Sequence, residues 1–293
     1  MINRLYLPKL TWILLGSGLL FMSAAFVTVH FSSAHPSAQK IDTQQLQPLL
    51  EADIIYLGER HDNPQDHALQ LDILRALQAQ NPNLAIAMEM FQRPFQPVID
   101  QYLAGEISET DLVIHTEYEH RWGFPWEFYA PVLRFALAHN LPVLAVNAPS
   151  EAVRQVARHG LQGLAAEDFV HIPPLAEIDT SNPDYRAWVL TAFKAHSAPE
   201  AMDFDNFFAA QVLWDETMAQ AIVEFRQAHP DTQVVVLAGQ GHILYGYGIP
   251  DRVARRLGSS ITQKTILLNP SDEITADDMA DLLWYSPESS SRP

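Results

Sequence analysis

Short apolar runs alternate with longer segments in which apolar residues recur at helical spacing, from residue 53 to residue 268. Each run ends at a turn residue or a polar residue, which is typical of buried parallel strands separated by helices. We therefore predict an α/β fold, with a mostly parallel sheet flanked by helices. The predicted strands are residues 53–57, 84–88, 141–146, 234–237 and 265–268.

Helical patterns fill the gaps between these runs. Asn63 and Pro64 are a favourable cap and first-turn pair for a helix over 66–80, and Ser150 begins a helix that ends before Gly160. Two more helices are predicted over 204–228 and 250–257, the first with Asp215 near the margin of its buried stripe and Glu216 exposed. Residues 91–138, which are helical but broken by prolines and glycines, and the irregular residues 168–182 are predicted insertions over the sheet.

The N-terminus has a different pattern. Arg4 and Lys9 precede an uncharged stretch from residue 10 to residue 31, long enough to span a bilayer as an apolar helix. Positive charge before this stretch and none soon after it predicts that the rest of the chain is translocated. We expect a periplasmic or lumenal protein, either anchored in the membrane through this segment or released by cleavage near Ser32-Ser33-Ala34.

These patterns divide the chain into four parts. We expect a signal peptide or membrane anchor over 1–34, a linker over 35–40, the α/β domain over 41–270 and a C-terminal tail over 271–293.

Charge and cysteine content narrow the classes of function. The net charge is −17 and no run of Lys or Arg occurs, so we expect no nucleic-acid partner, because phosphate binding depends on clustered cations. The absence of cysteine excludes disulfides, thiolate metal sites and a cysteine nucleophile.

Polar residues follow the predicted strands, at the sheet edge where α/β proteins bind ligands. Gly58 to His61 and Gly239 to His242 share the pattern Gly-x-x-His, in which we expect the glycine to let the chain turn sharply. With Glu59 and Glu89, these histidines could act as general acid and base, and His61, Glu89 and His242 could ligate a divalent metal. Either histidine alone would be an ordinary hydrogen-bonded loop residue.

Aromatic residues are concentrated in two places. Six lie within residues 117–129, and Tyr245 and Tyr247 follow the second Gly-x-x-His. Such segments suit a flat apolar ligand with a tyrosine oxygen or histidine nitrogen able to reach an iron. For Trp122, Trp126 and Phe128 we favour the simpler interpretation, in which they fill the core under an insertion.

Five motifs taken together resemble the ChaN-like haem-binding protein family, which belongs to a superfamily with Tiki/TraB proteins and erythromycin esterases. The resemblance extends over residues 41–257. The motifs are residues 56–64 (YLGERHDNP), 89–93 (EMFQR), 121–126 (RWGFPW), 214–218 (WDETM) and 238–242 (AGQGH).

The resemblance implies haem binding in the cell envelope, in haem or iron uptake or haem handling, with haem held between two subunits of a homodimer through a tyrosine. The candidate tyrosines are Tyr118, Tyr245 and Tyr247, and His61, His242 and Arg121 complete the candidate haem-binding set. This chain lacks the N-terminal cysteine of the lipoprotein members, so its membrane attachment would come from the apolar segment.

The same superfamily supplies an alternative. Its peptidases and esterases carry similar paired motifs, so the alternative is a metal-dependent hydrolase that uses Glu59, His61, Glu89 and His242. A third hypothesis is a non-catalytic binding or scaffold protein that keeps these residues as a structural polar network.

Overall fold

The computed structural model describes residue 41 and residues 43–195, 203–258, 261–270 and 279–286. The predicted N-terminal apolar helix and the linker lie outside the described residues. Within those ranges, no helix combines the length and apolar character needed to cross a membrane.

Helices and strands alternate along most of the described chain. Residues 93–95, 161–163, 166–170, 175–177, 240–242 and 244–246 form short 3₁₀ turns. The elements are α1 (Thr43–Leu50), β1 (Ile54–Glu59), α2 (Pro64–Gln78), β2 (Leu84–Gln92), α3 (Gln96–Leu103), α4 (Glu109–His115), α5 (Tyr118–Arg121), α6 (Trp126–His139), β3 (Val143–Asn147), α7 (Ser150–His159), α8 (Pro183–Ala195), α9 (Phe204–Ala228), β4 (Gln233–Gly239), α10 (Ile249–Leu257), β5 (Gln263–Leu268) and β6 (Leu282–Trp284).

The strands form one sheet in the order β3-β2-β4-β1-β5-β6, and each neighbouring pair runs parallel. This confirms the predicted α/β class with a mostly parallel sheet. Because all carboxyl ends lie at one edge, the loops after β1, β2 and β4 meet there. β1 pairs with β4 in a register that sets Glu59 opposite Gly239.

The sheet is buried on both faces, as its continuous apolar strands predict. Ile55 and Leu57 of β1 contact the core that α1, α2 and α6 cover, whereas Ile54 and Tyr56 contact the core under α9 and α10. Successive strand residues point to opposite faces, so each strand contributes to both cores.

Residues 93–139 form the predicted helical insertion, as α3 to α6. The apolar residues of α6 pack on the same core as α2, and Trp126 and Phe128 lie partly buried against it. Trp122 also contacts this core. These contacts fit the interpretation of the three aromatic side chains as core filling.

The range that we assigned to a C-terminal tail contains a strand. β6 pairs with β5 and places Trp284 in the core, where the side chain is 4% exposed. Three residues carry too little periodicity to be recognised as a strand in the sequence. β6 therefore belongs to the same sheet as the other five strands, within the range expected to be a tail.

We expect Trp284→Ala to lower the free energy of unfolding by about 3–5 kcal/mol, the range for removing a buried large aromatic side chain. Tyr285→Ala is the matched control, because Tyr285 is the next residue and is 41% exposed; its effect should be within about 0.5 kcal/mol. Urea unfolding of the two variants measures both values. Equal effects would show that β6 is not part of the cooperative fold.

Candidate functional site

The two Gly-x-x-His loops lie side by side at the carboxyl edge of the sheet. They follow β1 and β4, which are hydrogen-bonded neighbours, and β2 with Glu89 lies on the other side of β4. Glu59, His61, Glu89 and His242 therefore converge, as the sequence predicted. We call these four residues the His/Glu cluster.

The glycines of the two motifs serve a different purpose from the one we expected. Neither Gly58 nor Gly239 has a positive φ, so neither makes a turn that only glycine allows. Instead, a Cβ on Gly239 would lie 2.8 Å from Nε2 of His61, and one on Gly58 would lie 3.1 Å from the Leu267 side chain. Both glycines leave space for neighbouring side chains, and Gly239 lets the His61 ring lie directly on the end of β4.

His61 is held at one nitrogen and enclosed by aromatic rings. Its Nδ1 is 2.8 Å from Oε1 of Glu59, and its Nε2 is 4.0 Å from Oε1 of Glu89. The rings of Trp122 and Phe124 lie 4.9 and 5.1 Å from the imidazole, between centroids. The side chain remains 21% exposed. His61 is thus the member of the cluster that solvent reaches most easily.

Glu59 is fully buried and receives several hydrogen bonds. The Tyr129 hydroxyl donates to it at 2.6 Å and the Gln70 amide at 2.7 Å, and Nδ1 of His67 is 3.5 Å away. Burial raises the pKa of Glu59, but the charge of His67 and the hydrogen bonds from His61 and His67 outweigh it, so the pKa lies well below its ordinary value. Glu59 is therefore a permanent anion at neutral pH.

Glu89 lies between the two histidines. Its Oε1 is 3.4 Å from Nε2 of His242, and the backbone N–H of Gly239 donates to its Oε2 at 2.7 Å. The side-chain amide of Asn147, at the end of β3, donates to the Glu89 carbonyl. Burial raises the pKa of Glu89, and the charge of His242 and its hydrogen bond lower it below the ordinary value.

His242 is almost completely buried, with 6% of its side chain exposed. Its Nδ1 is 2.7 Å from Oδ1 of Asp215 and 3.1 Å from Nε2 of Gln211. Burial lowers the pKa of His242, but the charges of Glu89 and Asp215 raise it to about 10. His242 is therefore a buried cation between two carboxylates at neutral pH.

Asp215 and Glu216 are both fully buried, which corrects the expectation of a marginal and an exposed residue. Glu216 is enclosed by three arginines of α10, Arg252, Arg255 and Arg256, at 2.6 to 3.3 Å. The apolar stripe of α9 did not predict this burial, because other segments cover the helix on several sides. Gln211 and Asp215 are four residues apart, and this spacing indicates that both side chains lie on the same face of α9.

The candidate tyrosines differ in access. Tyr118 is 1% exposed and packs among Phe91, Trp126 and Tyr129, and burial raises the pKa of its hydroxyl. Tyr245 and Tyr247 are half-buried, with stacked rings 5.3 Å apart. Of the three candidates, Tyr245 and Tyr247 are therefore the two whose side chains are partly exposed.

Arg121 lies apart from the His/Glu cluster. Its guanidinium donates to Glu117 and Glu151 at 2.8 and 3.1 Å, and to Gln92 at 2.9 Å. It also lies 5.0 Å from the centroid of the Phe95 ring. These contacts tie the helical insertion to α7, so the nearest anions of Arg121 belong to the protein itself.

A surface cavity of about 580 Å³ lies beside α4, α5 and the start of α6. Its apolar floor includes Ile114, which is 61% exposed. Four glutamates line it, so it repels carboxylate-bearing ligands: Glu109, Glu117, Glu119 and Glu127.

Across the described ranges, no group of three or more His, Asp and Glu residues is arranged to hold a metal ion. The metal ligands that we predicted, His61, Glu89 and His242, are close together, but both Nδ1 atoms already contact carboxylates. Metal binding by these residues stays a prediction.

The fold and the site define an α/β protein with two Gly-x-x-His loops at the carboxyl edge of its parallel sheet. Comparison with known proteins identifies the family of this chain. The model of the family described as "Haem-binding uptake, Tiki superfamily, ChaN" matches residues 45–253. This chain belongs to that family, which confirms the resemblance in its motifs. No curated protein matches the sequence.

One solved structure supports the same fold. The structure titled "Cofacial heme binding to ChaN of Campylobacter jejuni" is similar with a TM-score of 0.64 and 22% identity, over 82% of this chain and 91% of that chain. An erythromycin esterase in its open conformation has a TM-score of 0.47 and 14% identity, over 79% of this chain and 74% of that one.

Asp66 holds the loop after β1 in place and makes the stability of the fold depend on pH. Its carboxyl accepts hydrogen bonds from the Arg60 backbone and the Asn269 side chain, both at 2.8 Å. Burial raises the pKa of Asp66 from 3.8 to about 6, although these hydrogen bonds oppose the change. Folding therefore favours the protonated form, and this contribution to stability is present below the unfolded pKa and lost as the pH rises through the folded pKa.

We expect deprotonation of the Asp66 carboxyl to lower the free energy of unfolding by up to roughly 3 kcal/mol as the pH rises from about 4 to about 7. Urea unfolding of wild type and Asp66→Asn across this range measures it, because the variant lacks the titrating group. The difference between the two proteins should shrink as the pH rises. The exposed Asp100→Asn variant controls for loss of one charge, and a constant difference for Asp66→Asn would contradict the expectation.

Proposed function

We propose that this protein binds haem and acts in the cell envelope, in haem or iron uptake or haem handling. The observation that carries the proposal is its membership of a haem-binding family over residues 45–253. The translocation signal predicted in residues 1–34 supports the envelope location, and fractionation of cells tests it.

Haem is flat and largely apolar, carries two carboxylates and has an iron that accepts an axial oxygen or nitrogen ligand. The stacked pair Tyr245 and Tyr247 fits these properties, because it is half-buried and Tyr245 packs near Trp188 and Leu244. The cavity beside Trp126 fits them poorly, since its glutamates would repel the haem carboxylates. We therefore place haem against Tyr245 and Tyr247, with one of the two hydroxyls as the iron ligand.

A homodimer that encloses haem between two subunits is part of this proposal and rests on the family resemblance. The half-buried tyrosines would then be covered by the partner subunit. Sedimentation of the protein with and without hemin distinguishes a dimer that forms with haem from one that exists without it.

Hemin titration tests the haem-binding proposal. We expect a saturable shift of the haem absorption band in the wild type, lost in Tyr245→Phe or in Tyr247→Phe. Tyr118→Phe should bind as the wild type does, because its hydroxyl is buried in the core. Tyr285→Phe is the matched control, an exposed tyrosine at the end of β6.

No saturable binding would overturn the haem proposal. Loss of binding in Tyr118→Phe alone would overturn the choice of ligand.

The convergence of the His/Glu cluster favours a second function, hydrolysis of an ester or peptide. Glu89 contacts His242 at 3.4 Å and approaches His61 at 4.0 Å, and His61 is accessible to solvent. Such an arrangement of anions and imidazoles can take a proton from water and return it to a leaving group. In the hypothesis drawn from the sequence, His61, Glu89 and His242 would bind a divalent metal ion.

Esters and peptides tested with and without added divalent metal provide the measurement. If the cluster is catalytic, Glu89→Gln should lower kcat by about 100-fold or more, the size of a general acid–base contribution. Glu167→Gln, an exposed glutamate away from the site, should leave kcat unchanged. Wild-type activity in Glu89→Gln, or no hydrolysis by the wild type under any condition, would contradict this second function.

A further inference from the structure

One carboxylate at the site comes from a helix rather than from a strand end. Asp215 lies in the middle of α9 and is fully buried, with 0% of its side chain exposed. Its Oδ1 is 2.7 Å from Nδ1 of His242, and its Oδ2 accepts the Tyr185 hydroxyl at 2.6 Å. Both oxygens are therefore occupied, one by the histidine and one by a tyrosine.

The surroundings leave His242 and Asp215 little freedom. A Cβ on Gly248 would lie 2.2 Å from the His242 carbonyl oxygen and 3.0 Å from Oδ1 of Asp215, so the chain entering α10 closes directly over them. The side-chain amide of Gln211, one helical turn before Asp215, lies 3.1 Å from the same Nδ1, and a protonated Nδ1 requires the amide oxygen rather than the nitrogen at this contact. The ring is thus fixed with Nδ1 towards α9 and Nε2 towards Glu89.

A similar arrangement occurs on the other side of Glu89. There the Tyr129 hydroxyl donates to Oε1 of Glu59 at 2.6 Å, and the same oxygen lies 2.8 Å from Nδ1 of His61. In both sets a buried tyrosine orients a carboxylate, the carboxylate binds Nδ1, and Nε2 points towards Glu89. A neutral histidine has one N–H donor and needs one acceptor, whereas each of these two histidines has a carboxylate near both ring nitrogens.

We infer that Asp215, oriented by Tyr185, is the positioning residue of His242, keeping a proton on Nδ1 and presenting Nε2 to Glu89. A carboxylate beside Nδ1 selects the protonated state of that nitrogen, because it can only accept a hydrogen bond there. The role of Asp215 rests on the second proposed function, in which the His/Glu cluster moves protons. Asp215 itself touches no reacting atom.

A purely structural Asp215 predicts a different result. It would contribute only to stability, and replacing it would leave the proton on Nδ1 wherever folding survives. An asparagine at this position can turn its amide N–H groups towards Nδ1, which then becomes an acceptor and carries no proton. The protonation of one ring nitrogen therefore separates the two roles.

The test is side-chain ¹⁵N NMR of the full-length protein labelled in its histidines, at neutral pH, with His242→Gln to assign the signals. We expect a proton on Nδ1 of His242 in the wild type and its loss in Asp215→Asn. Glu216→Gln is the matched control, because Glu216 is the next residue, is equally buried and contacts arginines instead of histidine. It should keep the proton.

Wild-type His242 without a proton on Nδ1 would overturn the inference, and this measurement requires no variant to fold. A folded Asp215→Asn that keeps the proton would also overturn it.

Tyr185→Phe tests the orienting tyrosine, because it frees only Oδ2 of Asp215. We expect the Nδ1 proton to remain with a shifted resonance, and an unchanged resonance would remove Tyr185 from the inference. If hydrolysis is absent but these NMR results hold, the second function falls, and Asp215 still keeps the proton on Nδ1 of His242.

Discussion

The parallel pairing of β1 with β4 is the constraint on which the site depends. Its register sets Glu59 opposite Gly239, so two loops that are far apart in sequence begin at neighbouring points of one edge. Because Gly239 has no side chain, the His61 ring can lie over the end of β4, within reach of Glu89 on β2. A shift of one residue in this pairing would turn Glu59 to the other face of the sheet and move His61 away from Gly239 and Glu89.

Burying so many ionisable groups costs solvation free energy unless each charge meets an opposite one. Here Glu59, Glu89 and Asp215 alternate with three histidines, and burial and mutual charge act in opposite directions on nearly every group. The charges prevail, because the pKa of Glu59 and Glu89 is lowered and that of His242 is raised to about 10. Opposite charges therefore hold these side chains together, and the hydroxyls of Tyr129 and Tyr185 donate further hydrogen bonds to Glu59 and Asp215.

The two proposed functions use neighbouring parts of one loop. Tyr245 and Tyr247 follow His242 by three and five residues, and the Tyr247 ring lies 6.1 Å from Tyr185, which binds Asp215. Tyr245 and Tyr247 are half-buried, whereas His242 is almost completely buried. The proposed iron ligands and the proposed proton-transfer groups are therefore different atoms.

The sequence by itself determined the α/β class, the five longer strands, the helix over 204–228 and the pairing of the Gly-x-x-His motifs, because these depend on local periodicity and on strand ends. Only the tertiary structure decided which polar groups are buried together. Asp215 and Tyr185 are brought to His242 by helix packing, and Trp284 is buried by a short strand that pairs with β5. Glu216 looks accessible along the chain, yet contacts from distant segments bury it. The local sequence pattern indicates which face of a helix or strand is apolar, whereas burial depends on which other segments of the chain pack against it.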